Sequence, residues 1–158
     1  GGKQERDMRG GTENIASIAG FKKAVEILNT DIKKDILHYS SLKKYLCLKL
    51  KEHYGDAVIL NSAEGEDSLP NIVNISFDRN KLDFDGEMLL IQLDLKGIAV
   101  SGGSACTSGT HQPSHVLLEL GRDRLTALGS LRISFGRKNT TEETDIFMFA
   151  LKDIIKEK

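Results

Sequence analysis

Several things are scarce in this sequence, and each scarcity excludes a class of protein. Net charge is nearly absent: 22 basic against 23 acidic side chains leave a formal charge of −1. With no basic surplus, aromatics at 6% and no basic cluster interleaved with them, the chain lacks the features of a nucleic-acid binder. The 2 cysteines, Cys47 and Cys106, stand far apart. So spaced, they make neither a disulfide framework nor a metal site. The expected compartment is therefore reducing, hence cytoplasmic. No apolar run approaches the length of a membrane span, and the first residues lack a signal-peptide pattern. Internal repeats and low-complexity segments are missing as well. What remains, 39% hydrophobic and 28% charged residues in 158, is the composition of one soluble globular domain with room for an appendage.

The chain opens on a polar, glycine-rich stretch, Gly1 to Thr12, with Arg6 and Arg9 and no core residue except Met8. It reads either as a disordered leader or as an anion-contacting loop running into a helix N-terminus, with Thr12 as cap or ligand. From Glu13 the period is helical, with Ile18, Phe21, Val25 and Leu28 on one face. Asn29-Thr30-Asp31 is expected to interrupt it and cap a second helix, whose stripe is Ile36, Tyr39, Leu42, Leu46 and Leu50. Cys47 borders that stripe and reads as a packing residue. Amphipathic helices of this length suit a brace between domains or a dimer contact.

Beyond Gly55 the pattern shortens. Strands are expected at Ala57–Leu60, Ile72–Phe77, Ile98–Val100 and Leu131–Phe135. The last of these alternates apolar residues with Arg132 and Ser134. The stretch 61–69 reads as an acidic, solvated turn. Helices are expected after Asp85-Gly86 and after Pro113-Ser114, the latter ended by Gly121, with a helical turn from Arg124 to Leu128. Thr140 and Glu143 form a capping box for a final helix with Phe147, Ala150, Leu151 and Ile154 facing the core. The expected class is α+β, a small, mostly antiparallel sheet with helices packed against it.

One stretch stands out chemically. Ser101-Gly102-Gly103-Ser104-Ala105-Cys106-Thr107-Ser108-Gly109-Thr110 surrounds a cysteine with small and hydroxyl residues. A structural cysteine normally has bulky apolar neighbours. A thiol displayed on a mobile glycine-rich loop suits nucleophilic attack, because its sulfur can travel. The alternative is an ordinary loop with an incidental thiol.

Several segments in order resemble the C-terminal portion of a cysteine desulfurase of the NifS/IscS-like group, in the class V aminotransferase family of fold-type-I enzymes dependent on pyridoxal 5′-phosphate (PLP). They are Gln4-Glu5-Arg6 with Arg9-Gly10-Gly11-Thr12-Glu13-Asn14, Pro70 to Phe77, Ser101 to Ser108, and Leu131-Arg132-Ile133-Ser134-Phe135-Gly136-Arg137. The resemblance implies a fold. Residues 1–54 would be the end of a large-domain loop plus connecting helices, and 55–158 a small α/β domain carrying the nucleophile loop. It also implies L-cysteine as substrate, PLP as cofactor, and alanine plus a protein persulfide as products.

By the same resemblance Cys106 is the nucleophile and Arg132 binds the substrate carboxylate. Thr12 contacts the PLP phosphate across a homodimer. A planar guanidinium grips a carboxylate through two hydrogen bonds; without the resemblance Arg132 reads as a sheet-surface arginine. Arg137 reads as structural, Arg9 as an electrostatic support without a firm role, and His111 and His115 as surface histidines. A sulfur-acceptor protein, such as an iron–sulfur scaffold, is the implied partner. The chain departs from the family in having no Ser/Thr-x-x-His-Lys-type segment. Alone it is therefore expected neither to bind PLP covalently nor to turn over cysteine. The alternatives are a cofactor-free thiol or persulfide carrier, a structural dimerisation module, and, nearer, a selenocysteine lyase or another member of the same family.

Overall fold

The computed structural model describes residues 2–63, 65, 68–102 and 112–158. The chain divides into two compact units, Gly1–Asp35 and Ile36–Lys158. The division falls inside a single helix, α1 (Ile15–Tyr54, 40 residues). Two helices were expected here. Asn29-Thr30-Asp31 does not break the run, because none of the three is glycine or proline and each tolerates helical backbone. Thr30 hydrogen-bonds instead to its own helix, its Oγ1 donating to the Glu26 carbonyl at 3.0 Å.

In the first unit the chain turns sharply. An antiparallel bridge joins Gln4 and Arg9, and Glu5, Arg6 and Asp7 take positive φ between them. The α1 residues that follow expose their apolar side chains, Ile15, Ile18 and Phe21 among them, the last at 74%.

The second unit carries the core. From Leu42 onward α1 buries Leu42, Leu46, Leu50 and Tyr54 at helical spacing. After a 3-10 turn at Gly55–Ala57 come β1 (Val58–Leu60), β2 (Ile72–Phe77), β3 (Leu82–Asp83), α2 (Leu89–Leu95), β4 (Ser101–Gly102), α3 (His115–Glu119), α4 (Arg124–Leu128), β5 (Leu131–Ser134), α5 (Thr141–Ile154) and β6 (Lys156–Glu157). Strands β1, β2, β5 and β4 form one antiparallel sheet in that order. Its apolar face, with Val58, Val73, Ile75, Phe77, Leu131 and Ile133, joins one core cluster with Leu46 and Leu50 of α1, Leu89 and Leu93 of α2, and Phe147 and Leu151 of α5.

The small antiparallel sheet with helices matches expectation; several boundaries differ. The fourth strand is Ser101–Gly102 rather than Ile98–Val100. Only Ser101 and Gly102 reach the β5 ladder, while Ile98 and Val100 pack against the core from a non-strand segment. The strand runs close to α2: a Cβ on Gly102 would lie 3.1 Å from the Leu90 Cδ1 atom. Helix α2 starts later than expected, at Leu89. The Asp85 Oδ1 atom accepts from the Glu87 and Met88 backbone N–H groups, making a turn ahead of the helix. The pairing of β3 with β6 had no sequence signal, since the ladder at Leu82↔Glu157 and Asp83↔Lys156 uses two residues from each strand.

A buried cation fastens the 61–69 segment to α1. The Lys43 ammonium, 8% exposed, donates to the Ala63 and Leu69 carbonyls and the Ser68 hydroxyl at 3.2, 3.1 and 2.7 Å. All three of its donors are thus used, which offsets the cost of burying the charge.

Two stability predictions arise here. Cys47 is half-buried and packs against the core, as expected of a packing residue. Cys47→Ala should destabilise by about 1 kcal/mol, by analogy with other small large-to-small changes, read as a lower urea midpoint. Thr140 caps α5 as expected: its hydroxyl accepts from the Glu143 N–H, and the Glu143 carboxylate accepts from the Thr140 N–H. Thr140→Ala should cost about 1 kcal/mol, read as a lower denaturation midpoint, whereas Thr140→Ser should recover most of it.

Candidate functional site

The sheet's second face carries a polar row beside the half-buried Ile59 and Ile72, and the strand register builds it. Along β5 the side chains alternate, Leu131 and Ile133 buried, Arg132 and Ser134 exposed. Arg132 lies opposite Asn74 of β2 on one side and opposite Ser101 of β4 on the other. Asn74 in turn faces Asn61, whose N–H donates to the Asn74 carbonyl at 2.8 Å just past the end of β1. Asn61, Asn74, Arg132 and Ser101 therefore stand in one row across the sheet.

The Arg132–Asn74 pair is of the close kind. The Phe135 N–H donates to the Asn71 carbonyl, so by the alternation of an antiparallel ladder 74 and 132 form a non-hydrogen-bonded pair. Such residues have Cα atoms about 4.5 Å apart. Among the described residues no side chain hydrogen-bonds or ion-pairs with the Arg132 guanidinium. A cation on an open polar sheet face, held at its base by two flanking strands, can accept a carboxylate.

The row is braced from one end. The Arg122 Nε–H donates to the Asn61 Oδ1 atom at 2.9 Å, and Asn61 Nδ2 donates to Asn74 Oδ1 at 2.9 Å and to the Ser76 hydroxyl at 2.8 Å. Ser62 reinforces it, its hydroxyl accepting from the Asn74 N–H at 2.7 Å. Arg122 is itself set by two helix ends. Gly121, at φ +79, ends the α3 segment, with the Arg122 N–H on the Leu117 carbonyl. Asp123 caps α4. Hydrogen bonds from Thr126, chiefly from its hydroxyl, hold the Asp123 carboxyl below the usual carboxylate range. Sequence inspection picked out Arg132 but not Asn61, Asn74 or Arg122. No motif links Asn61 to Arg122, whose contact spans 61 positions.

Cys106, the expected nucleophile, lies outside the described residues, as does His111. The described chain leaves the sheet at Gly102, one residue after Arg132's partner Ser101, and resumes at Gln112 ahead of α3. His115 opens α3 and is exposed. Arg137, in the turn after β5, is exposed and engaged by a neighbouring group.

Thr12 belongs to the first unit. It follows Gly11, whose φ of +89 turns the chain, and precedes α1, whose first turn carries no acidic residue. The Arg9 Nη2 atom donates to the Thr12 carbonyl at 3.2 Å, while the Asn14 side chain accepts from the Ser17 N–H at 3.0 Å. Among the described residues nothing hydrogen-bonds the Thr12 hydroxyl. An open hydroxyl, a nearby guanidinium and an approaching helix N-terminus form a donor set that fits a phosphate group. Among the described residues no group of histidine, cysteine or carboxylate side chains is placed to hold a metal ion, and no helix is long and apolar enough to cross a membrane.

Known proteins share this fold. Residues 2–147 match the family model described as Aminotransferase class-V. The chain is 40% identical over 158 residues to a cysteine desulfurase IscS of Clostridium botulinum, covering 100% of this chain and 39% of that protein. It is 42% identical over 146 residues to a mitosomal cysteine desulfurase of Encephalitozoon cuniculi, covering 92% of this chain and 32% of that protein. A solved NifS-like protein from Rickettsia africae superposes with a TM-score of 0.78 at 31% identity, over 97% of this chain and 38% of that one. The chain thus spans between about a third and two-fifths of the length of these relatives. A family match across nearly all of the chain, joined to the same fold in a solved relative, shows that this chain belongs to the class V aminotransferase family.

Proposed function

We propose that this chain is the C-terminal portion of a PLP-dependent cysteine desulfurase that converts L-cysteine to L-alanine and leaves the sulfur as a persulfide on Cys106. The observation that carries the reading is the Asn61–Asn74–Arg132–Ser101 row. It puts an open guanidinium, suited to an amino-acid carboxylate, on the strand next to the one that leads into the cysteine segment. The names borne by the relatives support the same chemistry.

In this reading Arg132 grips the α-carboxylate with two N–H donors and fixes the substrate's orientation. The Cys106 thiolate attacks the substrate sulfur. The carbon–sulfur bond breaks with its electron pair left on carbon, protonation there gives alanine, and the sulfur stays on Cys106 for transfer to an acceptor protein such as an iron–sulfur scaffold. When bound, PLP supplies the electron sink that makes this bond cleavable. Thr12, backed by Arg9, holds its phosphate, from the partner subunit of a homodimer. The covalent lysine comes from elsewhere in the full-length protein.

The test is alanine and persulfide formation from L-cysteine by the full-length protein, with selenocysteine assayed beside it. Alanine release with sulfur retained on Cys106 supports the reading. Turnover of selenocysteine alone would make the protein a selenocysteine lyase, and persulfide uptake without alanine would make it a carrier. The 158-residue chain by itself should show neither alanine release nor the absorbance of a lysine-bound PLP; either would overturn the assignment of the covalent lysine outside it.

A further inference from the structure

The network beside Arg132 has a direction. Arg122 Nε carries a proton at every working pH, so it can only donate. The atom of Asn61 that meets it at 2.9 Å is therefore the amide oxygen. That leaves Asn61 Nδ2 as the donor to Asn74 and Ser76, with both of its hydrogens used. Asn74 must then present its oxygen to Asn61, since a reversed amide would set two N–H₂ groups against each other. The consequence falls at the end of the relay: Asn74 turns Oδ1 toward β1 and Nδ2 away from it. Among the described residues nothing accepts from Asn74 Nδ2. Asn74 is half-buried and directly opposite Arg132 in the close type of cross-strand pair. A guanidinium and an amide N–H₂, both donors with no acceptor between them, form a two-residue clamp for a carboxylate.

We infer that Asn74 is a second substrate-binding residue beside Arg132. Its Nδ2 donates to the carboxylate that Arg132 grips, and Arg122 and Asn61 act as positioning residues that keep it in the donating orientation. The inference rests on the desulfurase reading and adds to it a residue that selects for the carboxylate.

The experiment uses the full-length, PLP-loaded protein. Wild type, Asn74→Ala and Asn61→Asp are compared with L-cysteine as substrate, with cysteamine, which lacks the carboxylate, as competing ligand, and by calorimetric titration with L-alanine. Asn74→Ala removes the donor. Asn61→Asp is nearly isosteric and touches no substrate. It still accepts from Arg122, but offers Asn74 an oxygen in place of N–H₂, so Asn74 must reverse and point its own oxygen at the carboxylate. Each variant should raise the KM for L-cysteine about tenfold, the loss of one hydrogen bond to a charged group. kcat should stay within about twofold. L-alanine affinity should fall in parallel, and cysteamine affinity should hold.

An unchanged KM and alanine affinity in Asn74→Ala, in a protein whose thermal melt matches wild type, would overturn the inference. So would equal weakening of cysteine and cysteamine, which marks a general distortion. If Asn74→Ala fails to fold, Asn61→Asp decides alone: tenfold weakening confined to carboxylate ligands supports the relay, and no change overturns it. Wild-type protein that releases no alanine from cysteine would instead remove the desulfurase reading, an outcome separate from any difference between the variants.

Discussion

Cys106→Ser in the full-length protein is expected to abolish persulfide formation and desulfurase turnover while leaving the PLP absorbance in place. A serine oxygen cannot accept a sulfane sulfur, so the loss should be complete within the sensitivity of the assay. In the proposed function the cofactor's contacts lie on other residues, Thr12 among those of this chain, and should be untouched. Stability is expected to change little, because the residues flanking Cys106 in sequence are small or hydroxyl-bearing. The measurement is persulfide labelling beside thermal melting. Cys47→Ala serves as the reciprocal control, with stability lowered and persulfide labelling kept. Persulfide retained on Cys106→Ser, or lost on Cys47→Ala, would reverse the assignment of the two thiols.

Arg132→Ala is expected to weaken L-cysteine binding more than any other single change on the sheet face. A charge-assisted hydrogen bond to a carboxylate is worth roughly 1.5–3 kcal/mol, so losing the guanidinium should raise KM by about 10- to 100-fold. Arg132→Lys should fall between, since an ammonium keeps the charge but not the planar fork. The folded state should be nearly unaffected: the side chain is exposed and has no partner among the described residues. Cysteamine binding should be insensitive to the change. An unaltered KM for L-cysteine would return Arg132 to the status of a surface arginine.

The two assignments differ in what made them legible. Cys106 was conspicuous in composition, because large neighbours are missing over a whole segment, but that left an incidental thiol open and the resemblance supplied its role. Arg132 was visible as the polar member of an alternating strand, but alternation is the same for any half-exposed arginine, and only its resemblance to a known family singled it out. Its row with Asn61, Asn74 and Ser101 brings together residues from segments far apart in sequence, and each strand shows its own period-two pattern with no record of which residue lies opposite.

By itself the sequence determined what depends on neighbours a few positions apart. That includes the α5 capping box at Thr140 and Glu143, the packing stripe Leu42-Leu46-Leu50, the alternation of β5 and the turn at Gly121. One local outcome went against expectation: α1 stays continuous through 29–31, where the Thr30 hydroxyl donates to the Glu26 carbonyl one turn back rather than capping a new helix. Tertiary structure decided the rest. Lys43, one more charged residue on a helix in the sequence, is buried because carbonyls and a hydroxyl from the 61–69 segment converge on its ammonium. The polarity of the Asn61–Asn74 relay exists only because Arg122, placed by the ends of α3 and α4, meets Asn61 across the sheet. The physical reason is common to both. Local propensity is a sum over adjacent residues, whereas register, burial and hydrogen-bond direction are set by partners that folding alone brings together.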